Sequence, residues 1–447
     1  MSTFRPALHP NWDLRIEGQR ARIHRRHDGQ PVSALAAVEA ILVGLMDGHR
    51  TEPTLKEDLV AIVGEAAQSW VPQTLLRLRP LLADGLARSI GLDLRVLAKV
   101  AGPDPTDGIR LLPGPRVLHW HVTNYCPRRC VYCYAAPIHG GHALDASISR
   151  ERLRAIFSEA VSLGATTLLV SGAEPLLRVD LPEVLGDAVT AGLSLLLTTK
   201  HPISFEMAQR FAHSGVPHLS LSIDSLDPEE NNLLIGSRQF ARQMERSMEA
   251  LRTAGVAFSV QTVVTRLNRT GPLDVATLAE IQGARVMQLV PFKHVHQPLT
   301  TIGNQELALK DDGEVDTLAR EIQRRHPALQ VERFREATET GAFHCDIGQT
   351  KLFFLPDGVV HRCYKLVHDN RLRGHDLKTT SVAAAWHDPD FHQLVAPSRE
   401  QYAKSACHSC AKFGACHTSG RCIYDAWVNH GKYTAPDRPC EGRNATI

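Results

Sequence analysis

Short apolar segments alternate with amphipathic segments through the middle of the chain. Six apolar segments read VLHWHVT, TTLLVS, LSLLLTT, HLSLSID, FSVQTVVT and VMQLVPF. Between the first two lies SRERLRAIFSEAVSLG, in which Leu153, Ile156, Phe157, Ala160 and Val161 share one helical face. This alternation predicts βα units, a parallel sheet and right-handed crossovers. The middle of the chain is therefore expected to have an α/β fold.

The first 98 residues have a different pattern and predict a small separate domain. A β-hairpin around LRIEGQRARIHRRHDG is followed by a helix capped by Ser33 and by helices in TLKEDLVAIVGEA and PQTLLRLRPLLADGLA. Two strands and three helices predict a winged-helix-like module. The Pro- and Gly-rich stretch KVAGPDPTDGIRLLPGPR, residues 99–116, predicts a linker.

The charge and hydropathy of the chain give no indication of nucleic-acid binding, membrane binding or secretion. Lys and Arg total 50 against 48 Asp and Glu, so net charge alone predicts neither nucleic-acid nor membrane binding. The opening MSTFRPALHPNWDLRIEG lacks the apolar core of a signal peptide, and no apolar run is long enough to cross a bilayer. We expect a cytoplasmic protein.

The spacing of the cysteines indicates a metal site in this fold. Of the ten cysteines, three lie in CPRRCVYC, residues 126–133, directly after the first predicted strand of the parallel sheet. Parallel sheets place their sites at this end of the strands. In a reducing compartment, clustered cysteines indicate a metal site before a disulfide. Three thiolates can bind three irons of a [4Fe–4S] cluster and leave the fourth open. A zinc site completed by His139 or His142 is the alternative.

The motif and its surroundings resemble the radical S-adenosylmethionine (SAM) superfamily. Cys126, Cys130 and Cys133, with the aromatic Tyr132 before the last, resemble the CxxxCxΦC signature. SGAEP at 171–175 resembles the GGEP segment of that family, and LSIDS after the fourth strand resembles its ribose-binding segment. The resemblance covers roughly residues 116–295 and implies a partial (β/α)6 barrel.

The resemblance also implies a reaction and a set of contacts. SAM would bind the open iron, and one electron would cleave it to a 5′-deoxyadenosyl radical that abstracts a substrate hydrogen. The implied contacts are Tyr132 with the adenine, Gly172, Ala173 and Glu174 with the methionyl end, Ser222 with the ribose, and Met287 with the adenine pocket. Ala173 replaces the second glycine of GGEP. Some relatives hold the methionyl carboxylate with an arginine after the fourth strand, where this chain offers only Arg238, a few residues late.

The other seven cysteines all follow residue 340. The spacing C…GxxxxC and CxxCx5C resembles the SPASM domain, which implies two auxiliary iron–sulfur clusters. The outer cluster would take Cys407, Cys410, Cys416 and Cys440, and the inner cluster would take Cys345, Cys363 and Cys422. The fourth iron of the inner cluster would be bare, or bound by water, by a substrate thiolate, or by His344, Asp346 or His361. A binuclear inner cluster and two zinc sites are the alternatives.

The N-terminal module resembles the PqqD-like peptide-recognition element through AILVGLMDGHRT and LKEDL. This resemblance implies that residues 1–98 bind a leader peptide as an added strand. The basic RARIHRRH makes a DNA-binding winged helix the rival, although the candidate recognition helix carries more acid than base. The expected domains are 1–98, the linker 99–116, a barrel over 117–335, and a SPASM domain over 336–447.

These resemblances together imply an enzyme that modifies a ribosomally made precursor peptide. The expected product is an intramolecular thioether or carbon–carbon crosslink. Peptide epimerisation and dehydrogenase-type oxidation of a protein residue are the enzymatic alternatives, and a redox-sensing DNA-binding regulator is the non-enzymatic one. The expected partners are the precursor peptide and a reductant such as flavodoxin or ferredoxin, with no nucleic acid and no membrane. The peptide, the bond formed and the general base stay open.

Overall fold

A computed structural model describes most of the chain, which divides into two compact units, Met1–Pro113 and Gly114–Ile447. The described residues are 4–17, 20–26, 31–35, 37–63, 70–84, 114–133, 147–292, 304–311, 313–334, 345, 347–348, 350–391, 397–411, 413 and 421–437. Most of the predicted linker, residues 99–113, lies outside them.

The first unit combines small antiparallel sheets with three helices among its described residues. Its strands are β1 (Pro6–Leu8), β2 (Trp12–Glu17), β3 (Arg20–Arg25), β4 (Pro31–Leu35) and β5 (Leu82–Asp84). Its helices are α1 (Ala37–Leu45), α2 (Glu52–Val63) and α3 (Trp70–Leu78). The order β2-β3-β4 forms one sheet, and β1 pairs with β5. Ile23 of the sheet and Ile41 of α1 have no exposed surface, so the core lies between sheet and helices.

Two local predictions in this unit are wrong. Ser33 does not cap a helix, because it lies inside β4 and pairs with Ile23 across the sheet. The helix begins only at Ala37. Residues 82–84 do not continue the third helix, because Leu82 pairs with Leu8 in an antiparallel strand. In both places, pairing with a distant strand overrides the local helical preference.

The second unit is built on one ten-stranded sheet in the described part of the chain, ordered β12-β11-β10-β9-β8-β7-β6-β13-β14-β15. Its strands are β6 (Val117–His121), β7 (Thr167–Ser171), β8 (Ser194–Thr199), β9 (His218–Ser222), β10 (Ala257–Val264), β11 (Val286–Pro291), β12 (Gln330–Arg333), β13 (Lys351–Phe354), β14 (Val359–His361) and β15 (Arg373–Asp376). All pairings from β12 to β13 are parallel. The predicted α/β class is confirmed, and the six predicted strands become β6 to β11.

Amphipathic helices connect and cover these strands. They are α4 (Arg150–Ser162), α5 (Leu181–Thr190), α6 (Phe205–His213), α7 (Pro228–Ile235), α8 (Phe240–Ala254), α9 (Gly271–Ile281), α10 (Asn304–Leu307), α11 (Gly313–Arg325), α12 (Val382–Trp386) and α13 (Ile423–His430). In α4 the predicted face is buried at Leu153, Ile156, Phe157 and Ala160. The Ser149 hydroxyl caps α4 by accepting a hydrogen bond from the Arg152 amide. Helix packing on the sheet therefore follows the predicted pattern.

The cysteine-rich region extends the same sheet. Strand β13 lies parallel to β6 with Phe353 opposite His119, and a hairpin turned at Asp357-Gly358 leads into β14. From α4, the Arg152 guanidinium donates to the backbone oxygens of Leu377 at 2.5 Å and Thr380 at 2.7 Å. Continuous strand pairing therefore joins the first barrel strand to the hairpin that precedes Cys363.

Candidate radical-generating site and auxiliary thiol sites

The loop that carries Cys126, Cys130 and Cys133 follows β6 directly. The Val131 amide donates to the Leu234 carbonyl of α7 at 3.0 Å, which holds the loop over the carboxyl end of the sheet. The Cys133 amide donates to the Cys130 carbonyl at 3.1 Å and closes a turn between these two residues. One short, anchored loop therefore presents all three thiols at the end of the sheet where parallel strands place their sites.

Burial controls the protonation of these thiols. Cys126 and Cys130 are each only 8% exposed. Burial raises the pKa of the Cys126 thiol to about 11 and that of the Cys130 thiol to about 12. Cys133 interacts electrostatically with both, so the three sulfurs lie near one another. Cluster binding at this loop must displace protons.

The segment SGAEP lies against the stretch that leads into the cysteine loop. The Ala173 amide donates to the Thr123 carbonyl at 2.8 Å, and the Glu174 amide donates to the Tyr125 carbonyl at 3.1 Å. Gly172 has a φ of +134°, and a Cβ there would lie 2.9 Å from the Thr123 oxygen. Only glycine fits this close approach. The first glycine of the motif is therefore required by the backbone itself.

Glu174 presents a buried carboxylate at the end of β7, with only 3% of the residue exposed. It accepts hydrogen bonds from the Thr199 hydroxyl at 2.6 Å and from the amides of Leu176 and Lys200, each at 3.2 Å. Burial raises the pKa of this carboxyl more than these hydrogen bonds lower it. An ammonium ligand would favour its ionised form.

Lys200 lies at the centre of a polar network that the sequence did not assign. Its ammonium donates to Ser222 Oγ at 2.7 Å and to Asp224 Oδ2 at 2.8 Å. Asp224 has no exposed surface and also accepts a hydrogen bond from the Tyr132 hydroxyl of the cysteine loop. Burial and the neighbouring Asp224 raise the pKa of Tyr132, so it stays a neutral donor. The network joins the cysteine loop to the ends of β8 and β9.

A second cation lies beside this network. The Arg128 guanidinium donates to Gln243 Oε1 at 2.9 Å and lies 5.0 Å from the centre of the Phe240 ring. The Lys200 ammonium lies 5.6 Å from the same ring. In contrast, Arg238 pairs with Glu229 at the surface, with 63% of its side chain exposed. Arg128 is therefore better placed than Arg238 to meet an anionic group in the site.

The position of Met287 differs from the expectation that it lines the adenine pocket. Strand register places Ser222 beside Gln261, and Gln261 beside Gln288. Neighbouring residues in register share a face, and successive residues alternate. Met287 therefore lies on the opposite face from Ser222, where it is fully buried. On the Ser222 face, the side chain of Gln288 accepts a hydrogen bond from Gln261 at 3.0 Å.

The inner thiol site brings together Cys345, Cys363 and Cys422, whose thiols interact electrostatically. Cys363 follows β14, and the Cys422 sulfur caps α13 by accepting from the Asp425 amide at 3.4 Å. Burial raises the pKa of Cys363 to about 11, and burial also raises that of Cys422. Three cysteines distant in sequence thus meet at one place.

His361 is not placed to complete this inner site. Its Nδ1 accepts a hydrogen bond from the Cys363 amide at 3.1 Å, and its Nε2 donates to the Asp369 carbonyl at 3.1 Å. Both ring nitrogens are therefore engaged with the backbone. The other candidate ligands, His344 and Asp346, lie outside the described residues.

The outer thiol site is described at Cys407 and Cys410, where the Cys410 amide donates to the Cys407 carbonyl at 3.2 Å. Arg421 donates to the Cys407 sulfur at 3.5 Å. Cys416 and Cys440 lie outside the described residues, as do His139 and His142 of the zinc alternative. Within the described ranges, no three His, Cys, Asp or Glu side chains are arranged to hold a single metal ion. A [4Fe–4S] cluster instead takes one thiolate on each iron.

Family models match both cysteine-bearing regions. Residues 120–275 match the Radical SAM superfamily, and residues 345–411 match the SPASM iron–sulfur cluster-binding domain. The chain therefore contains a radical SAM domain and a SPASM domain, and the protein is an enzyme. Its cofactors are SAM, the [4Fe–4S] cluster that binds SAM, and two auxiliary iron–sulfur clusters. The thiols described above fit these groups, because they form separate sets on the loop after β6 and in the region after residue 340.

Several known proteins resemble this radical SAM enzyme. The mycofactocin maturase MftC of Mycobacterium ulcerans is 27% identical over 341 residues, which cover 74% of this chain and 88% of that protein. A PqqA peptide cyclase of Streptomyces rochei is 32% identical over 153 residues, 34% of this chain and 41% of that protein. The crystal structure of Streptococcus suis SuiB bound to SAM matches with a TM-score of 0.63 and 15% identity, over 96% of this chain and 98% of that one. This last likeness shows the fold.

None of the helices in the described ranges is both long and apolar enough to span a bilayer.

Sequence reasoning missed Lys200, Asp224 and Arg128. Lys200 and Asp224 occur in LTTK and LSIDS, two of the strand ends that predict the site, so their positions were a usable signal. Arg128 lies between two predicted ligands, in CPRRC. The expected (β/α)6 barrel already made β8 and β9 neighbours, but the sequence analysis did not use this to place Lys200 beside Ser222.

Proposed function

We propose that this radical SAM enzyme modifies a ribosomally made precursor peptide and closes an intramolecular crosslink in it. The observation that carries the proposal is the likeness to proteins of this kind over most of the chain. The mycofactocin maturase aligns over 88% of its length. The structure of SuiB bound to its precursor peptide SuiA matches 92% of this chain with a TM-score of 0.60.

We assign the radical-generating site to the carboxyl end of β6 to β9. Cys126, Cys130 and Cys133 would hold the cluster, which together with SAM would supply the 5′-deoxyadenosyl radical for abstraction of a hydrogen atom from the peptide. The buried carboxylate of Glu174 and the backbone of Gly172 and Ala173 suit the methionyl end. Ser222, held by Lys200 at 2.7 Å, suits a ribose hydroxyl, and the Tyr132 ring suits the adenine. A reductant such as flavodoxin or ferredoxin supplies the electron.

The auxiliary thiol sites favour crosslinking over epimerisation. A crosslink removes two hydrogen atoms from the peptide, one taken by the radical and one lost as a proton and an electron. That electron needs an acceptor, whereas epimerisation returns a hydrogen atom and needs none. Iron–sulfur clusters are one-electron carriers, and the SPASM region of this chain supplies the cysteines for them.

We assign leader binding to the N-terminal unit. Strands β2 and β4 are the outer strands of its three-stranded sheet, each with one neighbour among the described strands. Outer strands present backbone donors and acceptors that an extended peptide can pair with. Residues 1–98 are therefore proposed to recognise the leader, as a PqqD-like element does.

Mass spectrometry of the precursor peptide encoded beside this protein tests the proposal. After incubation with enzyme, SAM and a reductant, we expect loss of two hydrogen atoms and a segment that resists backbone fragmentation. A Cys→Ser peptide that is still crosslinked indicates a carbon–carbon bond, and one that is not indicates a thioether. Loss of two hydrogens with ordinary fragmentation would mean dehydrogenation, and a changed stereocentre without mass change would mean epimerisation.

Deleting residues 1–98 separates leader binding from radical generation. We expect the deletion to reduce peptide turnover while SAM cleavage without peptide continues, because the second unit carries its own sheet and thiols. Tight, salt-dependent binding to duplex DNA with no SAM cleavage would instead identify a regulator and contradict the proposal.

A further inference from the structure

A buried arginine lies among the three thiols of the inner site. Arg362 directly precedes Cys363 and is only 1% exposed. Its guanidinium donates a hydrogen bond to the Cys345 sulfur at 3.3 Å. It also interacts electrostatically with Cys345, Cys363 and Cys422, which are the three cysteines of this site.

The backbone fixes this placement. The Arg362 amide donates to the Leu372 carbonyl at 2.9 Å, which anchors the residue beside the β14–β15 pair. A buried cation is costly unless opposite charge or hydrogen bonds compensate it. Three thiolates on an iron–sulfur cluster supply such opposite charge. A guanidinium stays protonated and has no lone pair for iron, so Arg362 acts on this site as a charge and a donor.

We infer that Arg362 is the counter-cation of the inner three-cysteine site and raises the reduction potential of the cluster bound there. A positive charge and an N–H···S hydrogen bond stabilise the reduced state, which carries one more negative charge, in preference to the oxidised state. Low solvent access at Arg362 strengthens this effect, because water does not screen the charge.

A second arginine, Arg421, lies at the outer site. It also contacts a cysteine sulfur, but the Asp437 carboxylate lies 4.0 Å from its guanidinium. Its guanidinium also lies 4.8 Å from the ring centres of Tyr402 and Phe413. A carboxylate and two aromatic faces therefore offset the charge of Arg421.

The inference gives the inner cluster a role in the proposed reaction. Only this role rests on the proposed function; the effect of Arg362 on the potential does not. When the peptide radical bonds to its partner atom, that atom's hydrogen leaves as a proton and one electron passes to the oxidised inner cluster. A raised potential makes this cluster a better acceptor for that electron.

A redox titration of the full chain tests the inference without any peptide. The chain carries Cys126→Ala, Cys130→Ala and Cys133→Ala, so that the auxiliary clusters alone give the electron paramagnetic resonance signal. Arg362→Gln, Arg362→Lys and the control Arg371→Gln are compared in this background. Arg371 lies in the same segment, pairs with Asp369 and has 62% of its side chain exposed. Cys363→Ala assigns the signal of the inner cluster.

For Arg362→Gln we expect the reduced-to-oxidised ratio of the inner cluster at fixed potential to fall at least about tenfold, which is about 59 mV for one electron. Arg362→Lys and Arg371→Gln should stay near the parent protein. If Arg362→Gln loses the inner iron while Arg362→Lys keeps it, the role of residue 362 as a counter-cation is also supported. An Arg362→Gln protein with full iron and an unchanged or higher potential overturns the inference, as does loss of the inner iron in both Arg362 variants. Failure to modify any peptide would contradict the proposed function but would not affect the conclusion about Arg362 from the redox titration.

Discussion

Lys200 and Asp224 form a buried ion pair at the ends of two neighbouring strands, with 2.8 Å between Nζ and Oδ2 and 0% of the Asp224 side chain exposed. The same ammonium holds Ser222, and the same carboxylate accepts from Tyr132. One cation therefore fixes three of the groups that surround the proposed SAM site.

Replacing Lys200 by Met should weaken both the fold and SAM binding. Removing one partner of a buried ion pair leaves the other charge uncompensated and costs about 3–5 kcal/mol. We expect a lower melting temperature and at least about a tenfold loss of SAM affinity, since 1.4 kcal/mol is already tenfold. Lys378→Met removes a more exposed lysine paired with Asp376 and serves as the control. Equal effects of the two substitutions on stability would contradict a structural role for the buried pair.

Gly172→Ala should be more harmful than Gly192→Ala, although both glycines have positive φ. At Gly192, with φ of +100°, a Cβ would meet no atom within 4 Å, so backbone strain alone should cost about 1 kcal/mol. At Gly172 the Cβ would also collide with Thr123, so we expect about 3 kcal/mol and loss of SAM binding. Chemical unfolding and SAM titration of both variants measure this difference. Wild-type SAM affinity in Gly172→Ala would show that the close approach is not needed.

Replacing Cys126, Cys130 and Cys133 by Ala should abolish 5′-deoxyadenosine formation under dithionite while the auxiliary clusters remain. Iron should fall from about twelve to about eight atoms per chain, since each cubane holds four. Chromatography of the nucleoside and iron analysis test both parts. Continued deoxyadenosine formation by the triple variant would contradict the assignment of the radical-generating site.

Acid should destabilise the chain partly through His121. Burial lowers its pKa from 6.5 to about 4. The unfolded chain therefore binds more protons than the folded chain between these values, and stability falls as the pH falls through this window. The loss from pH 8 to pH 5 should be about 2 kcal/mol. Urea unfolding of the cluster-free chain should show a smaller loss for His121→Gln, and the same loss as in the wild type would contradict this role.

The sequence predicted the strands of the barrel well, because β6 to β11 are short apolar segments set apart by amphipathic helices. Sequence reasoning was less successful where pairing with a strand distant in sequence determines the local structure. Leu82 fits a helix as well as a strand, and only its partner Leu8 selects the strand. Alternation along VMQLVPF predicts that Met287 and Gln288 face opposite ways, but not which of them shares the face of Ser222. The role of Arg362 at the inner site was equally difficult to predict, because its hydrogen bond goes to Cys345, seventeen residues earlier in the chain.

Strand β13 has a consequence for how this enzyme can be divided. It pairs with β6 along Lys351–Phe354, and its Phe353 and Phe354 have no exposed surface. A chain cut after residue 335 would strip that strand from β6 and open an unpaired, apolar edge beside the loop that carries Cys126. The radical-generating half and the cysteine-rich half are therefore not interchangeable modules. An enzyme of this fold that lost the auxiliary clusters would still need a strand in the position of β13 to pair with β6.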